Sequence, residues 1–234
     1  MHRFRHRHVI IVLLLVLIGS VLLFSLFHMN RQTTLPQGAN MSVVGVELDQ
    51  DKDFVDLDQL QKNGIKFVYL RGTQGKSYFD DNYLLYRDQM QGTHLSFGTI
   101  VSFSNESSVE AQYHYFESKI GQNTGELPVL IVPAVLSQSH RYWRQMARFV
   151  QLLEQNGKSV CVMGDYRWHT LFSKQTKFMY TGASLKDKTH YAFWCYTQNG
   201  NVAHVDQLDR HDVTMFAYIG SLTTYEQLYE PDME

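Results

Sequence analysis

Glu126-Leu-Pro-Val-Leu-Ile-Val-Pro-Ala-Val135 is the most informative run in this chain. It opens directly after Gly125, is rich in β-branched residues, and has no polar side chain after Glu126. Such a run reads as a short strand buried on both faces. Other runs of the same look recur along the sequence, and amphipathic helical stretches alternate with them. That alternation is the pattern of a mostly parallel sheet wrapped by helices. In such folds chemistry is placed at the carboxyl ends of the strands, here Ile131, Val132 and Pro133. None of the three carries an ionisable group, and the functional reading turns on that absence.

Upstream of this run, Val43 to Leu48 reads as a first strand, and Asp56 to Asn63 as a short helix ended by Gly64. Lys66 to Arg71 is a second strand, followed by a turn through Gly72-Thr-Gln-Gly75. Asp80-Asp81 can cap a helix running to Met90, ahead of a third strand from Leu95 to Phe103. Ser107-Ser108 opens a helix through Tyr115 to Ile120. Downstream, Ser139 to Gln155 is the longest helix. Its Tyr142, Met146, Phe149, Val150 and Leu153 recur at helical spacing and form a core stripe. Ser159 to Met163 is a fifth strand, with Gly164-Asp165-Tyr166 at its carboxyl end, and Trp168 to Ser173 a short helix. Three strands at short spacing then follow: Phe178 to Gly182, Tyr191 to Thr197 and Val213 to Ile219. A barrel of about eight strands, with helices missing late, accommodates this change of rhythm.

The basic residues cluster at the extreme N-terminus. His2 to His8 reads His-Arg-Phe-Arg-His-Arg-His, and Val9 to Phe27 follows without a charged residue. Nineteen residues at the helical rise span roughly 28 Å, about the thickness of a bilayer core. A cleaved signal peptide would have a shorter apolar region and a small-x-small site, which Leu26-Phe27-His28-Met29 lacks. The expectation is a single-pass transmembrane signal anchor over 9–27, preceded by a cytoplasmic basic tail over 1–8. A polar linker over 28–42 then leads to an extracytoplasmic domain over 43–234. The formal net charge of −2 gives no bulk electrostatic case for a nucleic-acid partner. Cys161 and Cys195 lie in apolar strand-like runs and read as buried free thiols. Neither they nor His114, His190, His204 and His211 have metal-ligand spacing, so no metal or cofactor is expected. Asn105-Glu-Ser107 fits a glycosylation acceptor, a motif short enough to arise by chance.

Read together, these segments resemble family 25 glycoside hydrolases, the bacterial and phage N-acetylmuramidase (lysozyme) family. Gly45-Val-Glu-Leu48 is similar to the family's opening Gly-Ile-Asp-Val strand. Gly64-Ile-Lys-Phe-Val-Tyr-Leu-Arg-Gly-Thr-Gln-Gly-Lys-Ser-Tyr78 resembles its Gly-Ile-Lys-Phe-x-x-x-Arg-x-Thr-Glu-Gly-x-Ser-Tyr segment. Glu110 to Phe116 resembles a Glu-Ala-x-x-x-x-Phe helix, Phe193-Trp-Cys-Tyr-Thr197 the late Trp-Gln-Tyr-Thr strand, and His211 to Phe216 the closing x-Asp-Leu-Asn-x-Phe element. The resemblance implies an α/β, TIM-like (β/α)5(β)3 barrel, here preceded by one transmembrane helix, with a glycan cleft at the carboxyl ends of the strands.

The family's central strand reads Leu-Pro-(Pro)-Val-Leu-Asp-Val-Glu, with the Asp and Glu as catalytic pair. Laid on Leu127 to Pro133, the resemblance puts the Asp position at Ile131 and the Glu position at Pro133. Neither residue can donate a proton to a leaving oxygen or stabilise an oxocarbenium-like centre. Glu47 stands for the first-strand Asp, Gln74 for the Glu of the turn, and the third-strand aromatic has no counterpart in Gly98 to Phe103; only Asp212 keeps its type. Glu47, Asp165 and Asp212 are the cleft acid candidates, and Tyr166, Trp168, Trp194 and Tyr196 the candidate surfaces for stacking sugar rings. The expected protein is a membrane-anchored, lysozyme-like pseudoenzyme that binds peptidoglycan glycan strands. Two alternatives stay open: an active muramidase with a rearranged acid set, and a scaffold for membrane-bound cell-wall protein partners.

Overall fold

The computed structural model describes residues 11–21, 32–37, 41–52, 54–185, 189–209 and 212–230. Residues up to Thr33 and residues from Thr34 onward form two compact units. In the first, residues 11–21 are helical; the rest of the expected 9–27 anchor and the His2 to His8 tail lie outside the described residues. Among the described residues, no helix is long and apolar enough to cross a membrane.

The second unit is built in the order the alternating pattern predicts. β1 (Val44–Leu48) leads through α1 (Leu57–Lys62) to β2 (Ile65–Gln74). β3 (Tyr78–Phe79), α2 (Tyr83–Met90), β4 (Ser96–Phe103), α3 (Val109–Lys119) and β5 (Val129–Pro133) follow. Then come α4 (His140–Gln155), β6 (Val160–Met163), a 3-10 helix (Tyr166–Leu171), β7 (Lys177–Thr181), β8 (Phe193–Gly200), β9 (Val213–Tyr218) and α5 (Leu222–Tyr229). Helix starts follow side-chain chemistry: Asp56 accepts from the Gln59 amide at 2.9 Å, and Ser108 from Ala111 at 3.2 Å, each satisfying an N–H that the helix leaves unpaired.

Pairing closes the sheet. β1, β2, β4, β5, β6, β7 and β8 run parallel in that spatial order, and antiparallel β9 joins β8 back to β1. The result is an eight-stranded mixed barrel with β3 as an extra short strand on β2. β1, β2, β4, β5 and β6 are each followed by a helix, β7 and β8 are not, and β9 leads into α5.

Two apolar layers separate cleanly. The barrel interior holds Phe67, Tyr69, Ile100, Leu130, Cys161, Met179, Phe193, Cys195, Phe216 and Tyr218. Space for the rings comes from glycines across the barrel: a Cβ on Gly45 would lie 2.2 Å from the Phe67 ring, and one on Gly98 2.6 Å from Tyr69. Tyr225 and Tyr229 of α5 pack on Phe67, Phe193 and Tyr218 and plug the amino-terminal end. The outer layer sets Val129, Ile131 and Val162 against the predicted Tyr142, Met146, Phe149, Val150 and Leu153 stripe of α4.

Three local expectations are corrected. β2 does not turn at Gly72 but continues to Gln74 and pairs with β3. Asp80 does not head α2, whose cap is Asn82; its carboxylate instead takes the Gln50 and Asn82 amides, at 2.9 and 3.0 Å, and the Tyr78 hydroxyl. The short helix expected at Trp168 to Ser173 is a 3-10 helix that begins two residues earlier, where Asp165 caps it. α5 is a further element that the alternating pattern does not announce.

Candidate functional site

The carboxyl ends of the parallel strands form one rim, and the start of β9 lies on it because β9 is antiparallel to β1. Glu47 shares its strand face with Gly45, so it points into the barrel mouth, and its side chain is only 10% exposed. Arg71, on the matching face of β2, donates to Glu47 Oε1 from Nη2 at 2.6 Å and from Nε at 3.0 Å. Asp49 lies 4.0 Å from the same guanidinium. Burial works against the Arg71 charge, but the attraction and hydrogen bonds of Glu47, with Asp49 and Tyr78 adding, together outweigh it and raise the pKa above the ordinary guanidinium value. The one inward acid of β1 is therefore already engaged by charge-assisted hydrogen bonds. Below it, burial, with Glu47 adding, pushes the Cys195 thiol up to about 12.

On β5 the structure moves the decisive positions by one residue. Ile131 belongs to the outer layer against α4, whereas Leu130 and half-buried Val132 belong to the interior. Side chains alternate along a strand, so the positions facing the mouth are Val132 and Ala134, and Ile131 and Pro133 face the helices. Aligning the family's central strand without a gap, Leu-Pro-Pro-Val-Leu-Asp-Val-Glu on Leu127 to Ala134, gives the same answer. In either register the run is free of acids: no Asp or Glu occurs from Leu127 to Leu153.

The other expected site residues divide. Asp165 is exposed at the carboxyl end of β6, caps the 3-10 helix through the Arg167 amide at 2.9 Å, and pairs with the Arg167 side chain at 3.4 Å. Asp212 is exposed just before β9, and its carbonyl accepts from Lys52 Nζ at 3.1 Å. Tyr166 and Trp168 are half-buried on the same rim. The Tyr166 ring lies 4.4 Å from both His169 and His190, and Trp168 stacks on Trp143 at 5.5 Å with the Arg167 guanidinium 5.2 Å from its ring centre.

Trp194 and Tyr196 are corrected. Both sit on the outward face of β8 in the outer apolar layer. Trp194 is fully buried and donates to the Gly182 carbonyl at 2.6 Å; the Tyr196 hydroxyl donates to the Thr34 carbonyl at 2.8 Å. Neither ring offers a face to a sugar. His211 lies outside the described residues. Cys161 and Cys195 are both free and buried, as read from their apolar surroundings. Among the described residues, no three His, Cys, Asp or Glu side chains come together to hold a metal ion. Sequence reasoning missed Arg71 as a site residue, although it is the one charge closing the Phe-Val-Tyr-Leu run of β2 and could have been paired with the acid of β1.

Residues 47–205 match the model of glycosyl hydrolases family 25. The chain belongs to that family. Solved structures agree on the fold. A family 25 glycosyl hydrolase from Bacillus anthracis is 18% identical with a TM-score of 0.71, covering 86% of this chain and 99% of its own. The bacterial lysozyme from Streptomyces coelicolor is 19% identical at 0.63, covering 81% and 98%. The catalytic domain of endolysin ply40, from bacteriophage P40 of Listeria monocytogenes, is 18% identical at 0.62, covering 82% and 98%. No curated protein matches the chain.

Proposed function

We propose that this chain is a membrane-anchored family 25 protein that binds peptidoglycan glycan through its barrel rim and has lost the family's hydrolytic chemistry. The observation that carries this reading is the carboxyl end of β5, where Val132 and Ala134 face the mouth and no carboxylate follows for the length of α4 up to Glu154. Glycoside hydrolysis needs two carboxyl groups across the scissile bond. Losing a general acid alone costs on the order of 10² to 10⁴ in rate, and here both strand-borne groups are missing. Glu47 remains at the mouth, but its Oε1 is held by Arg71. Trp168, with Asp165 beside it, is the surface we assign to a sugar ring, Arg167 moving aside as the ring docks. The uncharged run 9–27 behind an Arg-rich tail supports an anchor with the barrel outside the cytoplasm.

The test incubates the full chain, in detergent micelles, with purified insoluble peptidoglycan, and reads sedimentation and reducing-end release in the same tubes. Co-sedimentation without new reducing ends, weakened by Trp168→Ala, is the expected result. Cleavage abolished by Glu47→Gln or Asp212→Asn would overturn it. That outcome would establish the second reading, a rearranged acid set, which is favoured only by the position of Glu47 in the mouth and of Asp212 on the adjoining strand end.

A further inference from the structure

Outside residues 11–21, seven large apolar side chains are exposed among the described residues: Leu35, Phe54, Leu84, Leu85, Val135, Leu136 and Leu228. Their placement is uneven. Phe54, 69% exposed, lies in the loop after β1, and Val135 with fully exposed Leu136 in the loop after β5. Leu84 and Leu85 lie on the first turn of α2, which is tied to the β1 loop where Asn82 Nδ2 and the Tyr86 hydroxyl donate to the Lys52 carbonyl. All these loops belong to the carboxyl-end rim. Only Leu228, on α5, is at the opposite end of the barrel.

Leu35 is brought to the same rim by a second, independent feature. Thr34 is fastened to Asn201, immediately past the carboxyl end of β8: its amide donates to the Asn201 carbonyl at 3.0 Å, and the Asn201 amide donates back to its hydroxyl at 3.1 Å. The Thr34 hydroxyl also meets Asn201 Oδ1 at 2.7 Å, and Tyr196 holds the Thr34 carbonyl. The chain therefore enters the barrel domain at a fixed point on the rim. From Phe27, the end of the uncharged run, to Thr34 is seven residue steps, a contour of at most about 25 Å even when fully extended.

From the fixed entry point, the short tether and the apolar side chains gathered at one end, we propose that the carboxyl-end rim rests on the bilayer surface, with Phe54, Val135 and Leu136 reaching the acyl boundary. This rests on the anchor reading of 9–27. Exposed apolar side chains on separate loops gain by entering that boundary, as the apolar face of an interfacial helix does. Charge does not drive the contact: Lys52, Arg71, Lys76 and Arg167 on the rim are outnumbered by Glu47, Asp49, Asp51, Glu106, Asp165 and Asp212. The glycan cleft then opens toward the membrane, and the glycan it meets is the part closest to the lipid surface.

The experiment uses the full chain reconstituted in phosphatidylcholine vesicles containing phosphatidylglycerol, with a spin label on Phe54→Cys, Leu136→Cys or Leu228→Cys. The native thiols are buried and the three positions exposed, so labelling is selective and leaves the fold intact. Relaxation by oxygen, which partitions into lipid, is compared with relaxation by an aqueous nickel chelate. Labels at 54 and 136 should favour oxygen and keep doing so at high salt, while the label at 228 favours nickel. Water-like behaviour at 54 and 136 in vesicles that retain the chain through alkaline washing overturns the rim proposal alone. Loss of the chain in that wash overturns the anchor reading with it. Spin–spin coupling between labels at 136 overturns the proposal in favour of a second copy covering the rim.

Discussion

Placing a carboxylate at two adjacent positions of β5 separates the two faces energetically. Ile131 is fully buried between the sheet and α4. Truncating a buried Ile typically costs 2–5 kcal/mol, and leaving an unpaired carboxylate in the space adds to that, so Ile131→Asp should lose about 4 kcal/mol or more. Val132 is half-buried at the barrel mouth, where water reaches an introduced carboxylate, and Val132→Asp should cost about 1 kcal/mol. Against a typical domain stability of about 5–15 kcal/mol, the first variant is severely weakened and the second is not. Equilibrium urea unfolding, followed by tryptophan fluorescence in nonionic detergent, resolves the difference. At a slope of about 2.5 kcal/mol per molar urea, the gap of about 3 kcal/mol separates the midpoints by about 1.2 M. Equal midpoints, or a larger loss for Val132→Asp, would refute the assignment of faces and return the family positions to Ile131 and Pro133.

Two further outcomes follow from the polar rim. Arg71→Ala leaves the Glu47 carboxylate nearly buried without its partner and should destabilise the barrel by about 2 kcal/mol; Arg71→Lys recovers part of this and Glu47→Gln costs less, all readable from the same urea midpoints. Burial raises the Asp80 pKa above 3.8 despite the opposing Gln50 and Asn82 amides. The folded state therefore holds the Asp80 proton more tightly than the unfolded chain does. Stability lost to its ionisation at neutrality should return as pH falls toward 3.8, and Asp80→Asn should flatten that part of the melting-temperature profile; a steeper profile in the variant would show the sign to be wrong.

How much of this was legible beforehand differs by element. The existence of β5 followed from a short run of branched residues, but not its facing. A strand covered on both sides loses the two-residue rhythm that tells inside from outside, and Leu-Pro-Val-Leu-Ile-Val aligns with the family with or without a gap. Trp194 and Tyr196 misled for a related reason, since an aromatic in a barrel strand serves the outer layer as readily as the mouth. The short helix α5, Leu-Thr-Thr-Tyr-Glu-Gln-Leu-Tyr, is rich in residues of low helix propensity and forms because Tyr225 and Tyr229 seal the barrel. α4 is legible because its apolar stripe is long and matches its buried face.

The seam between β1 and β9 also sets an order in time. These two strands are separated by nearly the whole domain in sequence, yet they must pair before the barrel has no open edge. During synthesis, β1 to β8 are made while that edge still lacks its partner, and α5, which plugs the bottom, emerges after every strand. Contacts of such long sequence separation make for slow folding, so closure of this seam is a late step. A chain stopped at Ser221 would keep all nine strands and lose its plug, with Phe67, Phe193 and Tyr218 opened to solvent and a new tendency to aggregate.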